Sequence, residues 1–258
     1  MRVAALQLSS FRNKNEIAAY LQAAVAQKVK ILVMGEYLLN PFFKDFENIK
    51  KDLLLDSAKD IQYQLIEISN AYALTIVAPV FEVVGNKIYK SLGIINRGKI
   101  LFYRSQRLMP YEHWNEVKFF SNTIPKTVKM PPVFEIGGMK FSVVFGYELH
   151  FDEFWLMFKK NQVDCVLLSS ASTFDSSLRW RSIIKMRAFL NNCYILRANR
   201  IGQYRDEMTH TLWNFYGDSL LVNPNGEVVD CLGDREELLI ANLDKKYLKQ
   251  IKECWKFR

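Results

Sequence analysis

The chain has 258 residues, of which half are apolar and 14% aromatic, enough for a sizeable buried core and far from a disordered composition. A net charge of +8 is spread along the chain without an Arg-rich block, so nucleic acid is not the expected partner. No apolar run approaches the roughly 20 residues of a membrane span, and the start does not read as a secretion signal; a soluble, cytoplasmic protein with no membrane partner is expected.

The pattern alternates strands and helices from the first residue. RVAALQL (2–8) and KILVMG (30–35) are short apolar strands. Between them, apolar residues at 17, 21, 24 and 25 form a helical stripe, with Asn15 the expected cap and Glu16 in the first turn. Two helical stretches fill 41–73. Runs 75–83, 87–96 and 100–104, punctuated by Gly85-Asn86 and Arg97-Gly98, predict a meander of three strands. VFEIGGMKFSVVFG (133–146) predicts a hairpin turning at Gly137-Gly138, followed by a helix at 151–161 and a buried strand, VDCVLLSS. A helix at 178–191, the strand CYILRANR, a hairpin through Pro224-Asn225-Gly226, the strand ELLIANL and a basic terminal helix complete the chain. No linker divides it, so one domain over 1–258 is expected: two sheets face to face between helix layers, an α/β four-layer α-β-β-α sandwich. The basic end, 244–258, carries an apolar stripe at Tyr247, Leu248 and Ile251 and reads as a solvated helix face.

Cysteine and histidine chemistry is sparse. Cys165 and Cys193 sit in buried-strand runs, and no CxxC or His cluster exists, so neither disulfides nor a metal site nor a cofactor is expected. Three segments concentrate candidate chemistry instead. Glu36 leaves the strand KILVMG at its carboxyl end, where site residues gather in α/β folds. The loop YRSQRLMPYEHWNE (103–116) packs Ser105, His113 and Glu116 among aromatics. FSVVFGYELH runs from a strand through Gly146, Tyr147 and Glu148 into a helix, a turn that can hold a nucleophile at a helix's positive end.

In this order, the three segments resemble the carbon–nitrogen hydrolase (nitrilase) superfamily. ILVMGE looks like the segment ending in the general-base Glu, which gives that role to Glu36. GKILFYRSQRL looks like the strand ending Tyr-Arg-Lys, with Ser105 at the lysine position. PYEHWNE matches the loop with a supporting Glu, here Glu116. VVFGYELHF resembles the elbow Ile-Cys-Tyr-Asp/Glu, with Gly146 at the nucleophile. Further landmarks are Arg187-Ala188, Asn191, Ala198-Asn199-Arg200, Gly217-Asp218-Ser219 and Asn223 to Gly226.

The resemblance implies a Glu-Lys-Cys mechanism through a covalent acyl intermediate, and pairing into homodimers. Tyr147, Glu148 and His113 are the expected substrate-binding residues. Three readings stay open: an impaired relative that binds a small amide, carbamoyl amine or amine; an active hydrolase with another nucleophile; and a dimeric scaffold. Glu36 and Glu116, close together without a lysine, would favour a cationic amine ligand. Gly146 is expected to relieve a strained elbow backbone. Trp155, Met157, Phe158, Trp180 and Met186 are candidates for the dimer interface.

Overall fold

The computed structural model describes residues 1–11, 13–206 and 209–257, the side chains of 46–48 excepted. Arg258, the last residue of the basic run, lies outside them. Two six-stranded sheets dominate. In chain order the first takes β1 (Arg2–Gln7), β2 (Ile31–Met34), β3 (Thr75–Val84), β4 (Lys87–Asn96) and β5 (Lys99–Arg104). The second takes β6 (Phe134–Ile136), β7 (Met139–Phe145), β8 (Cys165–Ser169), β9 (Tyr194–Ala198), β12 (Leu220–Val222) and β13 (Val228–Cys231). β10 (Ile201–Arg205) pairs with β11 (Leu212–Tyr216), and β14 (Glu237–Asn242) returns to β1, giving the orders β14-β1-β2-β3-β4-β5 and β13-β12-β9-β8-β7-β6.

Parallel pairing occupies the centre of each sheet, β1-β2-β3 and β7-β8-β9, and the strands there are almost wholly apolar because both faces are covered. Val3, Ala5, Ile31 and Val33 face Val143, Phe145, Leu167 and Leu196 of the other sheet in one continuous core. On the outside, α1 (Ala18–Ala26) and α2 (Lys51–Tyr72) cover the first sheet through Leu21, Ile61, Leu65 and Ile68. α3 (Asp152–Lys160) and α4 (Ser177–Leu190) cover the second through Phe154, Phe158, Ile184 and Ala188. The four-layer α-β-β-α arrangement follows. α5 (Lys245–Trp255) closes the chain, capped by the Asp244 side chain, which accepts from the amides of Lys246 and Tyr247.

Three expectations need correction. α1 begins at Ala18 without a side-chain cap, and Asn15 lies in a turn before it, so the apolar stripe at Ile17 and Leu21 sets the start rather than the cap. The β10–β11 hairpin had no counterpart in the sequence reading. Trp155 and Phe158 are buried against the sheet and unavailable to a partner, whereas Leu156, Leu178 and Met186 face outward.

Candidate active site

The carboxyl ends of β2 and β7 meet at one edge of the sandwich. Glu36, two residues past β2, donates its amide to Ser170 O just beyond β8, which binds the two sheets together at that point (3.0 Å). Its carboxyl turns to the end of β7, where Oε1 accepts the Gly146 amide at 3.1 Å. The two residues, 110 apart in sequence, are therefore in direct contact.

Gly146 has φ −51° and ψ −49°, ordinary right-handed helical backbone, and a short 3₁₀ turn (Tyr147–His150) follows it. No strain requires glycine here. Close neighbours crowd the position instead. A Cβ on Gly146 would lie 3.0 Å from Glu36 Oε1, 3.0 Å from the Ser170 Cβ and 3.3 Å from the Trp180 ring, tighter than a side chain accepts without movement.

Between the glutamates stands a lysine that the sequence reading passed over. Lys90, on β4, is 3% exposed and places Nζ 2.6 Å from Glu36 Oε2 and 2.6 Å from Glu116 Oε1. The contact to Glu116 is an aligned hydrogen bond. The approach to Glu36 is an ion contact only, and among the described residues Oε2 has no aligned donor. The ammonium also lies 4.8 Å from the Phe145 ring centroid and 5.3 Å from that of Tyr37. The expectation of two uncompensated carboxylates is thereby overturned: an internal ammonium already occupies the place an amine ligand would take. The detectable signal was the phase of β4, because Ile88, Lys90, Leu92 and Ile94 share one buried face.

Glu116 is fully buried in the loop after β5. Besides Lys90 it accepts the Tyr37 hydroxyl (2.5 Å), the Trp114 indole (3.1 Å) and the Met109 amide (3.1 Å). Ser105 is buried immediately after β5, its hydroxyl donating to Arg107 O at 2.9 Å and lying 3.3 Å from Glu148 Oε1. Glu148 accepts the amides of Phe145 and Gln106 and the Tyr103 hydroxyl, which fastens the turn after β7 to the loop after β5. Arg104 and Arg107 stay outside, engaged with Glu82 and near Glu153.

Burial dominates the electrostatics. It drives the Glu36 carboxyl up to about 7 against the opposing pull of Lys90, with Glu116 adding to the rise. Burial alone would lower Lys90, but the two carboxylates outweigh it and hold the ammonium above its ordinary value. Burial also raises Glu148, despite the two amides and the Tyr103 hydroxyl that favour its ionised form.

Above this cluster opens a pocket of about 350 Å³. Glu36 and Gly146 form its floor, with Tyr111, Tyr147, Trp180 and Ile183 as walls and Arg179 and His150 also on its lining. Burial and a hydrogen bond with Tyr111 push the Tyr147 hydroxyl up to about 12, so it stays protonated as a donor. No cysteine lines the pocket: Cys165 and Cys193 are buried in the second sheet, while Cys231 and Cys254 are exposed elsewhere. Of the other expected substrate contacts, His113 stacks on Tyr111 (5.7 Å) and edges onto Trp213, forming part of the wall's support, and Glu148 is buried beneath the turn. Among the described residues no group of His, Cys, Asp and Glu is arranged to hold a metal ion.

The chain is similar over its whole length to proteins of one family. It is 21% identical over 268 residues to omega-amidase NIT3 of Saccharomyces cerevisiae, covering 98% of this chain and 90% of that protein. Its fold matches a carbon-nitrogen hydrolase from Helicobacter pylori G27 with a TM-score of 0.84 at 19% identity, covering 100% of this chain and 93% of that one. It also matches an amidase variant from Nesterenkonia sp. AN1 in which acrylamide has added to the active site cysteine, with a TM-score of 0.79 at 20% identity and 99% of each chain covered. Residues 2–253 match the Carbon-nitrogen hydrolase family, and the protein belongs to it.

Proposed function

We propose that the pocket above Glu36 binds a small amide without forming a covalent acyl intermediate. The observation that carries this reading is Gly146, at the head of the turn after β7, with the space of its missing side chain crowded by Glu36, Ser170 and Trp180. Covalent C–N hydrolysis needs a nucleophile beside a base, and no thiol lines the pocket. The polar groups on its lining suit an amide. Glu36, with a carboxyl near 7, accepts or donates at neutral pH, and the Tyr147 hydroxyl donates. The aromatic walls favour a compact group over a polymer. With Lys90 held between the glutamates, the ligand is a neutral amide or carbamoyl group in preference to an amine.

A second reading draws on the same carboxyl. A base titrating near neutrality is matched to deprotonating a water, which would let Glu36 drive direct hydrolysis with no enzyme-bound intermediate.

Calorimetry with ω-amides, N-carbamoyl amines and nitriles, run beside an ammonia-release assay, separates the two. Amide binding without ammonia is the expected result, with a covalent acyl adduct seen by mass spectrometry only in Gly146→Cys. Ammonia release by the wild type that disappears in Glu36→Gln would replace the first reading with the second.

A further inference from the structure

The cation of this cluster comes from an unexpected strand, and strand pairing offers a reason. β4 and β5 are antiparallel with Ser91 opposite Arg104, which sets Lys90 opposite Ser105, and the Ser105 amide donates to Lys90 O at 2.9 Å. Asn122 closes the end of this pair, its Oδ1 accepting from the Lys90 amide and its Nδ2 donating to the carbonyls of both residues. Directly opposed residues on antiparallel strands project from the same face with Cβ atoms about 4.5–5.5 Å apart. That gap is within reach of a lysine's four-carbon stem. An ammonium lying between Glu36 and Glu116 is therefore accessible from either member of the pair. Both are buried, and here one is a lysine and the other the small Ser105.

We infer that Lys90 and Ser105 form an exchangeable cross-strand pair, in which the ammonium that holds Glu36 and Glu116 together is delivered from β4 instead of β5. Lys90 is then a positioning residue. It does not line the pocket, and it acts by fixing the geometry and protonation of Glu36, which does. The titratable groups that face Glu36 are Lys90 from β4, Glu116 from the loop after β5 and neighbouring Tyr37; Glu148 faces Lys90 from the turn after β7. Removing the lysine leaves Glu36 with only groups that oppose its ionisation, apart from the Gly146 amide. Ser105 has no charge to offer, so the pair carries one cation and one small residue to leave room for its stem.

The inference rests on Glu36 as the acid–base group of the pocket, but its readout needs no ligand, so a failure of amide binding leaves it standing. The Glu36 carboxyl is followed against pH by carbon-13 NMR, assigned by its loss in Glu36→Gln. Lys90→Ser should move its midpoint upward by roughly 1–3 pH units. The double variant Lys90→Ser/Ser105→Lys should bring it back to the wild-type position, a recovery that mere packing does not produce. A double variant that titrates like Lys90→Ser overturns the inference. If Lys90→Ser does not fold, the double variant must regain the fold, and failure to do so is equally decisive against it. In the wild type, the Lys90 ammonium followed by nitrogen-15 NMR should stay protonated beyond the ordinary lysine value of 10.5; deprotonation near neutral pH would also overturn it.

Discussion

Replacing Glu36 by glutamine should remove a pH dependence of stability. The carboxyl sits near 7 in the folded chain against an ordinary 4.5, so between these values the folded state holds a proton that the unfolded state has released. For a carboxyl raised in this way, the folded state is favoured below the lower value and loses that advantage as pH climbs through the upper one. The gap of roughly two and a half pH units, at about 1.4 kcal/mol each, gives about 3 kcal/mol lost between mildly acid and mildly alkaline solution. Glutamine keeps the shape of the side chain, and its carbonyl can still accept the Gly146 amide, but it does not titrate. Stability of Glu36→Gln relative to wild type should therefore rise steadily with pH. Urea unfolding from about pH 5 to about pH 8, read as one cooperative transition if the chain folds as the single domain proposed, measures it. Glu148 also sits high, but it is common to both proteins and largely cancels in the difference. Parallel stability curves for the two proteins would refute the assignment of the raised carboxyl to Glu36.

Three further outcomes are expected. Gly146→Ala should destabilise by about 1 kcal/mol in chemical denaturation, because crowding a packed site costs about 1–3 kcal/mol and the helical backbone there returns about 0.4–1 kcal/mol from a stiffer unfolded chain. Lys90→Met should cost about 3–5 kcal/mol by stranding two buried carboxylates, and more at alkaline than at acid pH, as parallel urea titrations would record. We propose a homodimer that covers the outward apolar residues of α3 and α4, where Leu156 is 68% and Leu178 80% exposed. Light scattering at micromolar protein should give twice the 30.2 kDa chain mass, and Leu178→Asp should halve it; a wild type seen only at chain mass would sink the proposal.

Much of the architecture was readable because burial and strand period agree. Both faces of β2 and β8 are covered, so ILVM and CVLLS appear as unbroken apolar runs, and the turns at Gly85-Asn86 and Arg97-Gly98 mark the limits of β4 and β5. Glu36, Ser105 and Gly146 were picked out by their positions just past strand ends and Glu116 by the family resemblance of its loop, and the structure gathers them at one edge. Lys90 escaped because a lysine in a strand is ordinarily a solvent-facing residue, and only its phase with Ile88 and Leu92 betrays it. The β10–β11 hairpin was missed although Trp213 and Phe215 alternate with the outward Leu212 and Asn214, since Tyr204 and Arg205 before the turn carry no comparable alternation. The strain expected at Gly146 was misplaced because a sequence shows that a side chain is missing but not which atoms crowd the space.

Gly35 shows how the molecule can report on itself. A Cβ there would come within 2.9 Å of the Asn199 carbonyl carbon and 3.0 Å of the Arg200 amide, backbone against backbone, so the end of β2 and the chain leaving β9 touch without an intervening side chain. The next amide, that of Glu36, is spent on Ser170 O across the same seam. That proton can exchange only when its bond to Ser170 O across the seam opens. Its deuterium exchange is thus a gauge of how often the sandwich opens at the pocket floor, and any residue larger than glycine at 35 should make that opening more frequent while displacing the carboxyl that follows it.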